Sequence, residues 1–282
     1  MHNYDMGERP IDVTERSGVL VPSNLERFAA RWSPPVGSIA DVVDTYWAVE
    51  WNMASNEQVT QRILEFPAIT VSIESGDVPA PFMITGVQRS AWVRTIRGTG
   101  TVFAIRLRPA GLAAISSLTA SNLPAQTPLE RGMDATLFDM MSAIAEAEDP
   151  ATRADEVIAE ARATTPPSHE HLLANAVVDT LSRTVRSRTG SRLAAEVGAS
   201  ERAVQRALQS TLGMGPKAVA RRIRLQEVVR QLSIPGVDVS DIAVCLGYAD
   251  QAHLIRDFRG VAGVTPGQYV RENSSSERED RS

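Results

Sequence analysis

Four side chains within eight residues set the first chemical question: Arg202, Gln205, Arg206 and Gln209. Their spacing puts them on one side of a helix, with Ala203, Val204, Ala207 and Leu208 on the other. A guanidinium can donate two parallel hydrogen bonds to O6 and N7 of guanine, and a glutamine amide can pair with N6 and N7 of adenine. A row of Arg and Gln on one exposed helix face is therefore suited to reading base edges in a major groove. The simpler alternative is a solvated polar face.

The surrounding residues supply the means to hold that row in place. Leu193-Ala194-Ala195-Glu196-Val197-Gly198-Ala199-Ser200 reads as a short apolar helix, a glycine able to leave it in the left-handed conformation, and a serine to cap the next helix, expected over 201–211. The arrangement returns about fifty residues later as Ile242-Ala243-Val244-Cys245-Leu246-Gly247-Tyr248-Ala249-Asp250. In that register Leu254 and Phe258 take the inward places of Val204 and Leu208, Arg256 matches Arg206, and Gln251 matches Glu201. Each unit closes on the same spacing, Gly213-Met214-Gly215-Pro216 and Gly263-Val264-Thr265-Pro266. Between them one helix is expected over 217–233, burying Val219, Ile223, Val228 and Leu232 and stopped by Pro235-Gly236. At 1.5 Å per residue it spans roughly 25 Å, a rigid spacer on the scale of neighbouring major grooves.

Residues 172–272 resemble the DNA-binding domain of the AraC/XylS transcription regulators. The resemblance rests on Asp241-Ile242-Ala243, Leu246-Gly247-Tyr248, Arg256, Phe258, Gly263, Thr265-Pro266 and Tyr269. It implies base contacts from Arg202, Gln205 and Arg206 in the first unit and from Gln251, Ala252, His253 and Arg256 in the second. Ala252 and Ile255 depart from the polar pattern, so the second unit is expected to read less, or only thymine methyls. A phosphate clamp or an intradomain ion pair is the alternative role for Arg256. The partners so implied are double-stranded promoter DNA and RNA polymerase, with activation favoured over repression.

The net charge of −5 hides a division along the chain. Residues 1–169 hold 13 Arg and Lys against 21 Asp and Glu, whereas residues 170–272 hold 14 against 10. A basic segment beside an acidic one fits phosphate attraction with restrained non-specific binding, although a basic face alone is also a solvated surface. No long uncharged apolar run is present and residues 1–10 are polar, so the expectation is a cytoplasmic protein with no membrane partner. The single cysteine, Cys245, excludes an intramolecular disulfide and is expected to be a small buried hydrophobe rather than an alkyl acceptor.

The first part of the chain has strand periodicity instead. Trp47, Val49, Trp51 and Met53 alternate with other residues, as do Ile69, Val71 and Ile73, and Phe103, Ile105 and Leu107, with β-prone runs at 82–85 and 91–96 between. Helical spacing follows at 111–118, 138–147 and 151–163, and Thr164-Thr165-Pro166-Pro167-Ser168 breaks it. The expected fold is α+β: an N-terminal antiparallel β sheet or barrel with helices, then an all-α DNA-binding domain of two helix-turn-helix units joined by a central helix. The expected domains are 1–165 for effector binding or dimerisation, 166–171 as linker, 172–272 for DNA and 273–282 as a disordered tail. The first domain is similar to the cupin-like effector regions of AraC-type regulators, and Arg106-Leu107-Arg108-Pro109-Ala110-Gly111-Leu112 is similar to a pattern in an uncharacterised subgroup.

Trp47, Trp51 and Trp92 are candidates to line a pocket for a small effector, with Arg94, Arg106 or Glu50 as polar partners; filling a core is their other use. The four histidines, His2, His169, His171 and His253, leave the sheet without imidazole, which argues against a cupin metalloenzyme. His169 and His171 flank Glu170 as a metal pair or as exposed linker residues. No Gly-x-Ser-x-Gly elbow is present, so no catalysis, cofactor or metal is assigned. Met140, Met141 and Ile144 are candidates for a homodimer contact or for packing on their own sheet. A sensor acting through a protein partner, with weak DNA binding, is the competing function.

Overall fold

The computed structural model describes residues 18–279 apart from 22, 23, 25, 26, 186–188 and 235, and the side chains of 273–279 are not described. His2 and Pro235, both used in the sequence reading, lie outside the described residues.

Strand periodicity becomes one six-stranded antiparallel sheet in the order β1-β2-β7-β4-β5-β8. Its strands are β1 (Phe28–Ser33), β2 (Val43–Asn52), β4 (Thr70–Gly76), β5 (Phe82–Thr85), β7 (Thr99–Leu107) and β8 (Thr127–Pro128). A separate pair, β3 (Gln58–Ile63) with β6 (Trp92–Arg97), forms a second antiparallel sheet. The expected barrel therefore does not close: β3 and β6 hydrogen-bond to each other and not to the large sheet.

Alternation gives the large sheet two different faces. Ile69, Val71, Ile105 and Leu107, with Tyr46 and Ile84, join a core with α1 (Gly111–Ile115), α2 (Ala135–Ala145) and α3 (Pro150–Thr164). Met141 and Ile144 are fully buried in that core, so packing on their own sheet accounts for both, and Met140 packs partly against it. The intervening positions, Thr70, Ser72, Glu74, Ala104 and Arg106, line a cavity on the opposite face.

The break at 165–168 separates α3 from α4 (His169–Arg183), whose first turn contains His169 and His171, both placed in the linker by sequence. Ser168 caps α4 and shares a capping box with His171, which gives that imidazole a local structural role. The helical part continues with α5 (Ser191–Glu196), α6 (Glu201–Leu212), α7 (Pro216–Leu232), α8 (Val239–Cys245), α9 (Gln251–Ala262) and α10 (Pro266–Glu279). α10 runs past Asn273, where the tail was expected to begin; nothing between Gly267 and the chain end is a glycine or proline that would stop it.

Two cores divide α7 between them. Its first half contributes Val219, Ala220 and Ile223 to a core with α4, α5 and α6, and its second half contributes Leu225, Val228, Val229 and Leu232 to a core with α8, α9 and Tyr269 of α10. Phe66 and Ala68 enter the first core, whereas Leu20, Leu64 and Ala91 enter the second. The five-residue run from Leu64 to Ala68 thus reaches both units from the β-rich part.

Candidate nucleic-acid interface and cavity

Each recognition unit is built from turn chemistry. Gly198 and Gly247 leave α5 and α8 at φ 64° and 74°, where a side chain would be strained. Ser200 Oγ then accepts from the Ala203 amide at 3.2 Å, and Asp250 Oδ1 from the His253 amide at 2.6 Å, starting α6 and α9. Val204, Ala207 and Leu208 are buried, as are Leu254 and Phe258. Arg202, Gln205, Arg206 and Gln209 are all exposed on α6, and Gln251, Ala252, His253 and Arg256 are all exposed on α9.

The two ridges differ in what touches them from within the protein. Arg206 Nε lies 3.0 Å from Glu170 Oε2, and Ser210 Oγ lies 2.9 Å from Glu170 Oε1. The Ser210 hydroxyl, and next the Arg206 guanidinium, hold the Glu170 carboxyl below the usual carboxylate range. Arg256, by contrast, takes part in no ion pair with another described residue, whereas Asp257 beside it pairs with Arg221 of α7. The bracing of α9 sits beneath its ridge: Tyr248 donates to Asp257 at 3.0 Å, Arg221 donates to the same carboxylate at 2.5 Å, and the Tyr248 ring meets His253 edge-on. Burial, and then Asp257, push the Tyr248 hydroxyl far above the ordinary phenol range, so it stays a donor.

Cys245 is exposed, not buried as expected. At about 100° per residue, Ile242, Ala243 and Leu246 define the inward arc of α8, and Cys245 falls about 60° outside it, beyond Ile242.

The cavity between the large sheet and the β3-β6 pair has a volume of about 180 Å³. All five candidate ligand residues, Trp47, Trp51, Trp92, Arg94 and Arg106, line it. Trp32, facing Trp47 across β1 and β2, completes the set, so all four tryptophans of the chain surround one space. Gly100 allows this, since a Cβ there would stand 2.2 Å from the Trp51 ring. Indole nitrogens are satisfied at the edges, Trp51 Nε1 by the Arg97 carbonyl at 3.1 Å and Trp92 Nε1 by Gln126 Oε1 at 3.2 Å. Glu50 takes no part; it is exposed and pairs with Arg31 at 3.1 Å.

Charge inside the cavity is mostly neutralised pairwise. Arg94 donates to Glu74 at 2.8 Å, and Arg106 donates to Asp44 at 2.7 Å while lying about 6 Å from the Trp47 and Phe66 rings. Glu65 is the remaining acid. Burial pushes its carboxyl up to about 7, opposed by the nearby Arg222 and Arg106 charges. Sequence reasoning missed Trp32 and Glu65. Phe28, Ala30 and Trp32 do alternate, and Glu65 is a lone acid in the apolar run Ile63-Leu64-Glu65-Phe66.

The wall of this cavity is also the seat of the helical part. Arg222, buried on α7, donates from Nε to the Glu65 carbonyl at 2.8 Å and from Nη2 to the Ser90 carbonyl at 3.1 Å. Gln226 donates to the Leu64 carbonyl at 2.8 Å. Arg62 of β3 donates to the Ala262 carbonyl at 2.6 Å, and the Ala91 amide to the Val261 carbonyl at 3.0 Å. Among the described residues no group of three or more His, Cys, Asp or Glu is placed to hold a metal, and no helix is long and apolar enough to cross a membrane.

Residues 193–272 match the family described as Helix-turn-helix domain, of AraC type, and residues 32–127 match a domain of unknown function (DUF6597). No curated protein matches the chain. Among solved structures, ToxT from Vibrio cholerae O395 is similar over 88% of this chain and 99% of its own at 9% identity, with a TM-score of 0.40. The P21 form of ToxT from Vibrio cholerae covers 87% and 97% at 10% identity with a TM-score of 0.43. The unsaturated fatty acid bound form from Vibrio cholerae strain SCE256 covers 86% and 94% at 8% identity with a TM-score of 0.36.

Proposed function

We propose that this chain, whose C-terminal part belongs to the AraC-type helix-turn-helix domains, is a DNA-binding transcription regulator that reads two half-sites and responds to a small molecule held among its tryptophans. The observation that carries the reading is the pair of exposed polar ridges, each capped and glycine-terminated in the same register on either side of one shared helix. Arg202, Gln205, Arg206 and Gln209 contact bases in one major groove; Gln251, His253 and Arg256 contact bases or phosphates in the next, with Ala252 against a thymine methyl.

The effector acts through the segment that both compartments share. Ile63, Glu65 and Phe66 line the cavity, while the Leu64 and Glu65 carbonyls hold Gln226 and Arg222 of α7. A ligand that shifts this wall shifts the frame on which both recognition helices sit. Contact with RNA polymerase and activation complete the proposal, and a homodimer would double the number of half-sites read.

Selection from a random duplex pool tests it. The expected product is a motif of two half-sites separated by about one helical turn, roughly 10 base pairs, bound with a steep salt dependence. Salt-sensitive binding without an enriched motif would leave a non-specific DNA protein, and no binding at all would favour the adaptor that acts through a protein partner.

A further inference from the structure

Aromatic faces attract cations, and the effect grows when both partners are desolvated. The cavity surrounds its contents with four indoles and two phenyl rings, from Phe28 and Phe66, a composition that suits a flat apolar body. Its ionic groups then decide which polar end that body carries. Both cavity arginines already hold carboxylates, Arg94 that of Glu74 and Arg106 that of Asp44. Arg222 stands outside the lining: its Nε and Nη2 donate to the Glu65 and Ser90 carbonyls, while its buried Nη1 has no hydrogen-bond partner among the described residues. The Glu65 carboxyl lines the cavity and has no hydrogen-bond partner among the described residues.

We propose that the cavity takes an arylalkyl monocation, an aromatic ring bearing a protonated amine or amidine, with the indoles around the ring and Glu65 as the anionic anchor. The proposal rests on the reading of the cavity as an effector site. At roughly 10–15 Å³ of space for one water-sized group, a volume of about 180 Å³ suits a ligand on the order of a dozen non-hydrogen atoms. Glu65 is itself poised for the exchange. With its carboxyl pushed up to about 7, Glu65 is about half protonated near neutral pH and gives up the remaining proton as the cation enters, so cation affinity rises with pH through this range. The charged groups facing it are Arg222 from α7 and Arg106 from β7, with the Glu74–Arg94 pair in the same lining.

Phenylbutylamine, phenylbutanol and phenylbutyrate share a body of the right size and differ only in the polar end. Because every tryptophan of the chain lines the cavity, quenching of tryptophan fluorescence in the full-length protein reports occupancy. The amine is expected to bind about tenfold or more tightly than the alcohol or the acid, and Glu65→Gln to erase that preference while leaving the alcohol unchanged. Tightest binding by phenylbutyrate, a preference that survives Glu65→Gln, or no binding by any of the three overturns the proposal. Should Glu65→Gln fail to fold, the wild-type protein decides: amine affinity must rise between pH 6 and 8 relative to the alcohol, and parallel profiles overturn it. DNA affinity measured with each ligand separates this from the parent reading. An amine that binds but leaves DNA affinity unchanged defeats effector control and not the ligand class, whereas an acid that alters DNA affinity does the reverse.

Discussion

In the first unit α6 follows Gly198, is capped by Ser200 and ends at Gly213; in the second α9 follows Gly247, is capped by Asp250 and ends at Gly263. Beyond that common plan the two are fastened differently. α9 is tied to the β-rich part by main-chain acceptors, Val261 for the Ala91 amide and Ala262 for Arg62. α6 meets the same part through apolar contact with Phe66 and Ala68 and through the short helix Ala120–Asn122. One of its outward arginines, Arg206, is instead engaged by Glu170 of α4. One helix is hydrogen-bonded to the β-rich part near its C-terminal end, while the other has a ridge arginine held in an ion pair. Duplicated recognition units therefore need not be equally ready to bind, even when their local chemistry is the same.

The largest test of equivalence lies in the cores. Phe258 and Leu208 occupy matching inward positions and are both fully buried. Phe258→Ala should cost about 3–5 kcal/mol and Leu208→Ala about 2–5 kcal/mol, each leaving a cavity under its recognition helix. Urea unfolding followed by circular dichroism checks both. A cost below 1 kcal/mol at either position would mean that its unit is not packed as described.

Next in size is the fastening of α9. Arg62→Met removes a charge-assisted hydrogen bond to the Ala262 carbonyl and should loosen docking by about 1.5–3 kcal/mol. Faster hydrogen exchange at the Ala91 amide, whose acceptor is Val261, is the expected sign. Exchange at the Gly213 amide, bonded to the Gln209 carbonyl at the end of α6, should stay as it was. Equal acceleration at both would show that the two units are released together and that the difference in fastening has no consequence.

What the sequence made legible follows from the range of the interactions concerned. Caps, left-handed glycines and the buried stripe of α6 are decided within a few residues of each other, so Ser200, Asp250, Val204 and Leu208 could be placed from spacing alone. The aromatic candidates were legible too, because Trp47 and Trp51 share a strand and hence a face. Glu65, Arg222 and Gln226 were not. Their places depend on strands and a helix more than 150 residues apart, and an arginine in a helix otherwise reads as solvent-facing. The barrel expectation failed for a related reason. Alternation gives the faces of each strand but not whether β3 pairs with the large sheet or only with β6.

Smaller effects are expected at the ridges themselves. Arg206→Ala should cost about 1–3 kcal/mol on the selected motif and relax preference at one base pair, with little change on random DNA. Arg256→Ala should instead weaken both by a similar factor and lower the salt slope by about one if its role is a phosphate clamp. The two titrations, run at two salt concentrations, sharpen the contrast between the units. Matching profiles would make both arginines readers or both clamps.

The smallest change acts on the ion pair between Glu170 and Arg206, a proposed base-contacting side chain. Glu170→Gln keeps the shape of the carboxylate and removes its charge, so Arg206 is freed and a negative charge is taken from beside the phosphates. Both effects favour DNA, and affinity should rise severalfold, most clearly at low ionic strength, where such exposed charges are least screened. Stability should fall by less than about 1 kcal/mol, since the pair is largely exposed. Its pH dependence has a definite sign. The Glu170 carboxyl is held below its ordinary value in the folded protein, so its contribution is present above the ordinary glutamate range and is lost as pH falls through the folded value. The stability gap between wild type and Glu170→Gln should therefore be open at neutral pH and close in acid. If DNA affinity is unchanged at neutral pH while the gap behaves as described, Glu170 braces α6 against α4 without restraining Arg206, and the two ridges are equally ready after all.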